Sequence, residues 1–153
     1  MSETAPAATT DVLSALHVLE FPYKRSVGPV IGRFLAGLRD GKIEGIKSAS
    51  GKVIVPPVEY DPETAATLTE FVPVADAGVV TSWTWLAEPR PKNQIREPFA
   101  WALIRLDGAD TALLHAVCTT ESRMQTGMRV RARWRSERTG HITDIECFEP
   151  EDA

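Results

Sequence analysis

The chain has 153 residues and a mass of 16.8 kDa, enough for one domain of ordinary size or one small domain with an appendage. Hydrophobic residues at 43% and charged residues at 25% exclude a fibrous or largely disordered protein, and no apolar run approaches the roughly 18 residues of a membrane span. A net charge of −4 and a pI near 5.4 argue against a protein whose main task is gripping nucleic-acid phosphates. The two cysteines, Cys118 and Cys147, are too few for a disulfide framework or a four-thiolate metal site, so a reducing cytoplasm is the expected compartment.

Residues 1–20 read as a disordered or partly helical tail. MSETAPAATT carries neither a positive charge nor an apolar core and is not read as a secretory signal. A short helix is expected over Asp11–Leu19, with Asp11 as cap and Leu13, Leu16 and Leu19 at helical spacing. Residues 21–42 form an N-terminal helical segment. Within it the pattern from Ser26 to Asp40 predicts a helix, with Ser26 as cap, Pro29 in the first turn and Gly41 as stop. Val30, Ile31, Phe34, Leu35 and Leu38 make one apolar stripe. The stripe lies either on the chain's own domain or on a partner, and the pattern leaves both open.

Residues 43–66 read as a hairpin around Ser50-Gly51, closed by Pro56-Pro57 and followed by the loop PPVEYDPET. Residues 67–150 are β-rich. Strands are expected near 68–74, 78–87, 98–106, 111–117, 128–136 and 142–148, with a long loop over Glu88–Glu97 and a short helix or turn at Glu121–Thr126. This spacing, with a short helix before the penultimate strand, predicts a small closed barrel of the OB type. The fold class is therefore mainly β, a C-terminal OB-fold barrel preceded by a helix and a hairpin.

The sequence holds no catalytic constellation. His115 sits inside the apolar run ALLHAV, where a lone histidine is more often packed than catalytic, and His141 lies in a turn. No Ser–His–Asp order, HExxH or P-loop appears, and neither cysteine has a basic neighbour in sequence. Arg129, Arg131, Arg133 and Arg135 alternate with Met128, Val130, Ala132 and Trp134. The apolar set is core, and the arginine set is a phosphate-binding face or a solvated face balanced by acids. Asp144, Glu146, Glu149, Glu151 and Asp152 on a neighbouring final strand would neutralise it, so the balanced reading is preferred. Trp83 and Trp85 share a face that is either core or a stacking platform. Strand 98–106 is apolar on both faces, Phe99, Trp101 and Leu103 on one and Ala100, Ala102, Ile104 and Leu106 on the other. Two apolar faces imply cover by a helix or another subunit.

Several blocks together, GIKSASGKVIVPPVEYDPET, VVTSWTWL, PFAWALIRLDGADTALLHAV and TGMRVRARWR, resemble the bacterial and archaeal family built from an N-terminal helix, a rubredoxin-like zinc ribbon and a C-terminal OB fold, domain-of-unknown-function family 35. The resemblance spans about Phe21 to Pro150. In that family two CxxC pairs bind zinc through four thiolates. Here the four ligand positions are Lys47, Ser50, Asp61 and Thr64, which cannot replace four thiolates. The resemblance thus implies a degenerate, metal-free ribbon, and no cofactor is expected.

The resemblance further implies a non-catalytic accessory subunit of an acyl-CoA-processing enzyme: a thiolase-like enzyme, an acyltransferase, a retro-aldolase of steroid side-chain breakdown, or an enoyl-CoA hydratase. The partner would carry the chemistry and the acyl-CoA. Phe34, Leu35, Leu38, Phe99 and Trp101 are the expected partner-binding residues, and Arg129, Arg131 and Arg133 the candidate contacts to coenzyme A phosphates. The alternative is a free-standing OB-fold binder of single-stranded nucleic acid or another ligand. The acidic pI and the balance of arginines by acids disfavour nucleic acid as partner.

Overall fold

The computed structural model describes residues 14–24 and 26–151. Residues 14–24 are irregular and exposed. The helix expected over Asp11–Leu19 is therefore absent from its described part, and Asp11 and Leu13 lie outside the described residues. Leu16 and Leu19 find no surface to pack on, and so short a helix is marginal in water without one.

Helix α1 spans Gly28–Arg39. It begins two residues after Ser26, with Val27 at the cap position, Pro29 in the first turn, and the Ser26 hydroxyl accepting from the Gly28 amide at 3.3 Å. It ends as expected. Gly41 takes a positive φ of 73°, which lets the Lys42 amide turn back to the Gly37 carbonyl at 2.9 Å.

Two sheets follow. Strands β1 (Ile43–Lys47), β2 (Val53–Ile54) and β3 (Phe71–Val74) form an antiparallel sheet in the order β2-β1-β3. The expected hairpin at Ser50-Gly51 is β1–β2. The strand predicted near 68–74 pairs along β1, from Ile43↔Val74 to Ile46↔Phe71, so the ribbon sheet runs across the boundary expected at residue 66. Local pattern marks Phe71–Val74 as a strand but says nothing about which edge it joins.

Strands β4 (Ala77–Leu86), β5 (Phe99–Leu106), β6 (Leu113–Val117), β7 (Arg129–Trp134) and β8 (Ile145–Pro150) close a barrel in the order β4-β5-β6-β8-β7. β4 pairs with β7 to complete the ring, and β6 runs parallel to β8 through Val117↔Phe148. This is the OB topology. Gly78 sits where β4 crosses between β5 and β7, and a Cβ there would collide with the Arg105 carbonyl. The expected strand at 142–148 starts late because residues 142–144 coil into a 3-10 turn. There the Asp144 carboxylate accepts from the Thr139, Gly140 and His141 amides at 3.0, 2.7 and 3.1 Å. A second 3-10 turn at Glu121–Arg123 stands between β6 and β7.

The barrel core contains Val80, Ala100, Ile104, Leu113, Val130 and Phe148, and two helix residues enter it: Phe34, 2% exposed, and Leu38, fully buried. The stripe of α1 is thus spent on the chain's own core. The first turn packs differently, Val30 joining Ile46 and Leu68 of the ribbon side. One helix therefore bridges both sheets.

Candidate functional site

The outer face of β5 and β6 carries the apolar residues that the core does not use. From Ala100 onward β5 alternates, with Ala100, Ala102, Ile104 and Leu106 buried and Trp101, Leu103 and Arg105 outward. Leu103 stands opposite Leu114 of β6, and Trp101 opposite Ala116. Trp101 is 38% exposed, Leu103 41% and Leu114 59%. Thr84 and Ser82 flank them on β4. At one end this face opens into a cavity of about 370 Å³ lined by Ile95, Trp101, Leu114, His115, Ile142 and Ile145. Its wall is mostly apolar, as expected of a surface that takes an apolar group out of water.

His115 is a packing residue. Its ring meets Phe148 edge-on at 5.5 Å, and Nε2 lies 3.4 Å from the Ile142 carbonyl. Burial pulls its pKa below the ordinary histidine value, so it stays neutral at neutral pH. Among the described residues its buried Nδ1 has no hydrogen-bond partner, so no hydroxyl or thiol is paired with it there as a nucleophile would be. Among the described residues no group of histidine, cysteine and carboxylate side chains could hold a metal ion.

The expected partner-binding residues separate. Phe34, Leu38 and Phe99 are buried within the chain and are corrected from interface to core: helix and barrel meet on Phe34 and Leu38, while Phe99 packs with Ala116 and Cys147 in a separate small cluster. Leu35 is partly buried against the same core. Trp101 alone of the five presents a broad exposed face, packed edge-on against Phe99 with ring centres 5.1 Å apart. Leu103 and Leu114 were not singled out in sequence. Their exposure could have been inferred only by knowing which face of β5 turns into the barrel.

The arginine face is balanced, as the acids on the final strand suggested. Arg129 grips Asp107 at 2.7 and 2.8 Å and Glu151 at 2.8 Å. Arg131 bridges Asp76 at 2.8 Å and Glu151 at 3.0 Å, and Arg133 holds Glu146 at 2.9 Å and also Glu149. Hydrogen bonds from Arg129 and Arg131 hold the Glu151 carboxyl below its ordinary range. The three arginines expected at coenzyme A phosphates are thus committed to carboxylates. Trp134, on the opposite face, donates its indole N–H to Asp76 at 3.3 Å, while Trp83 and Trp85 pack against the core.

Lys47, Ser50, Asp61 and Thr64 do not converge as a metal site. Lys47 reaches Glu70 at 3.2 Å, and the Ser50 hydroxyl bonds Ser48 at 3.0 Å. Asp61 is the exception. Its buried carboxylate accepts from the Ala49 amide of the first knuckle at 2.8 Å, and from the Glu63 and Thr64 amides of the second at 2.8 and 3.0 Å. A carboxylate therefore joins the two knuckles through backbone amides. Those amides hold its pKa below the ordinary aspartate value. One carboxylate, one lysine and two hydroxyls do not fit zinc.

Comparison with known proteins agrees with this architecture. Residues 71–135 match the family described as ChsH2, C-terminal OB-fold domain. A protein of unknown function from the DUF35 family of Sulfolobus solfataricus superposes with a TM-score of 0.60 at 22% identity, over 81% of this chain and 83% of that one. The Ltp2-ChsH2(DUF35) aldolase superposes with a TM-score of 0.62 at 17% identity, over 83% of this chain and 98% of that one. No curated protein matches in sequence. The chain has the OB fold that these proteins share. No described helix is long and apolar enough to cross a membrane.

Proposed function

We propose that this chain is a non-catalytic accessory subunit of an acyl-CoA-processing enzyme, with a thiolase-like acyltransferase or retro-aldolase as the first choice of partner and an enoyl-CoA hydratase-like enzyme as the second. The observation that carries the reading is the outward apolar strip Trp101, Leu103 and Leu114 beside its cavity. A barrel needs one apolar face, and this one has a second. Covering such side chains is worth roughly 1.5–3 kcal/mol each, which favours a partner over standing exposure. Two further points support it. Among the described residues no group of histidine, cysteine and carboxylate side chains could hold a metal ion, and a similar fold occurs in the Ltp2-ChsH2(DUF35) aldolase. The paired arginines leave no unbalanced basic stripe for nucleic acid.

Co-purification of the native protein from its own cells tests the reading. The expected companion is an enzyme acting on acyl-CoA. Trp101→Ala should weaken the complex at least about thirtyfold, the scale of a central aromatic anchor, and Leu114→Asp should abolish it. Both variants should keep the parent's Tm. A variant that folds and binds as tightly as the parent places the interface elsewhere, and a native protein with no companion removes the proposal.

A further inference from the structure

The chain's two cysteines, far apart in sequence, meet at the seam where the barrel closes. Cys118 directly follows β6 and Cys147 lies in β8. The Cys118 amide donates to the Phe148 carbonyl at 2.8 Å, and Cys118 packs against the small buried cluster that contains Cys147. Cys147 stands opposite Arg133 in the β7–β8 register, and Arg133 Nη2 reaches Cys118 Sγ at 3.8 Å. Sequence proximity offers neither cysteine a basic neighbour. The fold supplies one to both. The two sulfurs differ in access. Cys147 is fully buried, whereas Cys118 is half-buried and opens on a cleft of about 530 Å³ lined with Arg96, Pro98, Thr119, Arg133 and Arg135.

We propose that Cys118 is a reactive thiol that exchanges with small disulfides of the glutathione class, and that Cys147 resolves the product into an intramolecular Cys118–Cys147 disulfide. The Cys118 thiolate attacks one sulfur of the small disulfide. That S–S bond breaks, one glutathione leaves as thiolate and takes up a proton, and Cys118 carries the other half. Cys147 then loses its proton, attacks Cys118 Sγ, and expels the second glutathione. The two protein thiols are oxidised, one glutathione disulfide is reduced to two thiols, and nothing else is consumed.

Access sets the order of the steps. Cys118 opens on the cleft with Arg133 Nη2 at 3.8 Å from its sulfur, whereas Cys147 is fully buried. The neighbouring cysteine and the Arg133 charge pull the Cys118 pKa below the ordinary thiol value against burial and the nearby Glu149 and Glu146. Cys118 is therefore the sulfur that a small disulfide meets first, and Cys147 the one that follows.

The test is incubation of the full chain with glutathione disulfide, read by intact mass and peptide mapping. The parent should lose the mass of two hydrogens and yield a Cys118–Cys147 linked peptide. Cys147→Ser should stop at the glutathione adduct on Cys118, and Cys118→Ser should stay unmodified. Circular dichroism checks that each variant folds, with Cys147→Ala as the substitute if serine does not. If neither variant folds, the parent's own peptide map decides. A parent that keeps both thiols, that accumulates the mixed adduct without closing, or that reacts first at Cys147 overturns the proposal.

Discussion

The ribbon sheet and the barrel differ in what holds them. The barrel is a closed ring around a continuous apolar core, so its strands are held by pairing on both sides and by burial. The three-stranded ribbon has open edges and a small cluster of its own, Val30, Ile46 and Leu68. It survives by attachment. The Asp61 carboxylate clasps its two knuckles, the Asp110 carboxylate accepts from the Val53 amide at 2.8 Å, and Thr111 bonds both polar groups of the Val55 backbone at 2.7 and 2.9 Å. Helix α1 seals the arrangement by entering both cores. Where the family it resembles uses a metal as cross-link, this chain uses hydrogen bonds to backbone amides. The lesson is that an open-edged sheet can be held by a buried carboxylate that accepts from the backbone amides of two separate turns.

The comparison breaks most sharply at the helix. Leu38→Ala should cost about 3 kcal/mol and Phe34→Ala about 4 kcal/mol by denaturant unfolding, with ribbon and barrel lost in one transition because both residues are core. A folded Leu38→Asp with unchanged stability would return the helix stripe to the surface. Thr111→Val comes next. It leaves the Val55 amide and carbonyl, both near a buried side chain, without partners, for about 2 kcal/mol. Hydrogen exchange should show the loss at the ribbon side and not at Val80 of the barrel.

Asp61→Asn is expected to lower the Tm by about 3 °C, since an amide offers one acceptor where three backbone donors use two oxygens. The Ala49, Glu63 and Thr64 amides should exchange faster. Acid gives the same result without mutation. Asp61 has a folded pKa below its unfolded value, so its contribution is fully present above the ordinary aspartate range and is lost as pH falls below about 4. The ribbon amides should open there before the barrel's, and Asp61→Asn should flatten that dependence. The smallest expected effect is zinc. Added zinc should leave the Tm unchanged, because Lys47, Ser50, Asp61 and Thr64 are not a zinc donor set, and a metal-dependent rise would contradict the clasp.

Residue periodicity by itself determined the helix ending at Gly41, the hairpin at Ser50-Gly51, the β7 alternation, and the OB spacing, because each is a local pattern. That Lys47, Ser50, Asp61 and Thr64 carry no sulfur was equally legible, being a matter of residue type at four positions. Tertiary structure alone decided the rest. Trp101 and Ala102 are neighbours on an all-apolar strand, and only ring closure turns one outward and the other in. Phe34 and Leu38 follow the spacing of any amphipathic stripe, and only the barrel end makes them core. Phe71–Val74 reads as a strand for either sheet until β1 claims its edge. Cys118, Arg133 and Cys147 sit on three different segments, and no spacing foretells their meeting. Contact across a closed barrel depends on register between strands distant in sequence, and register is set by which faces the whole ring buries.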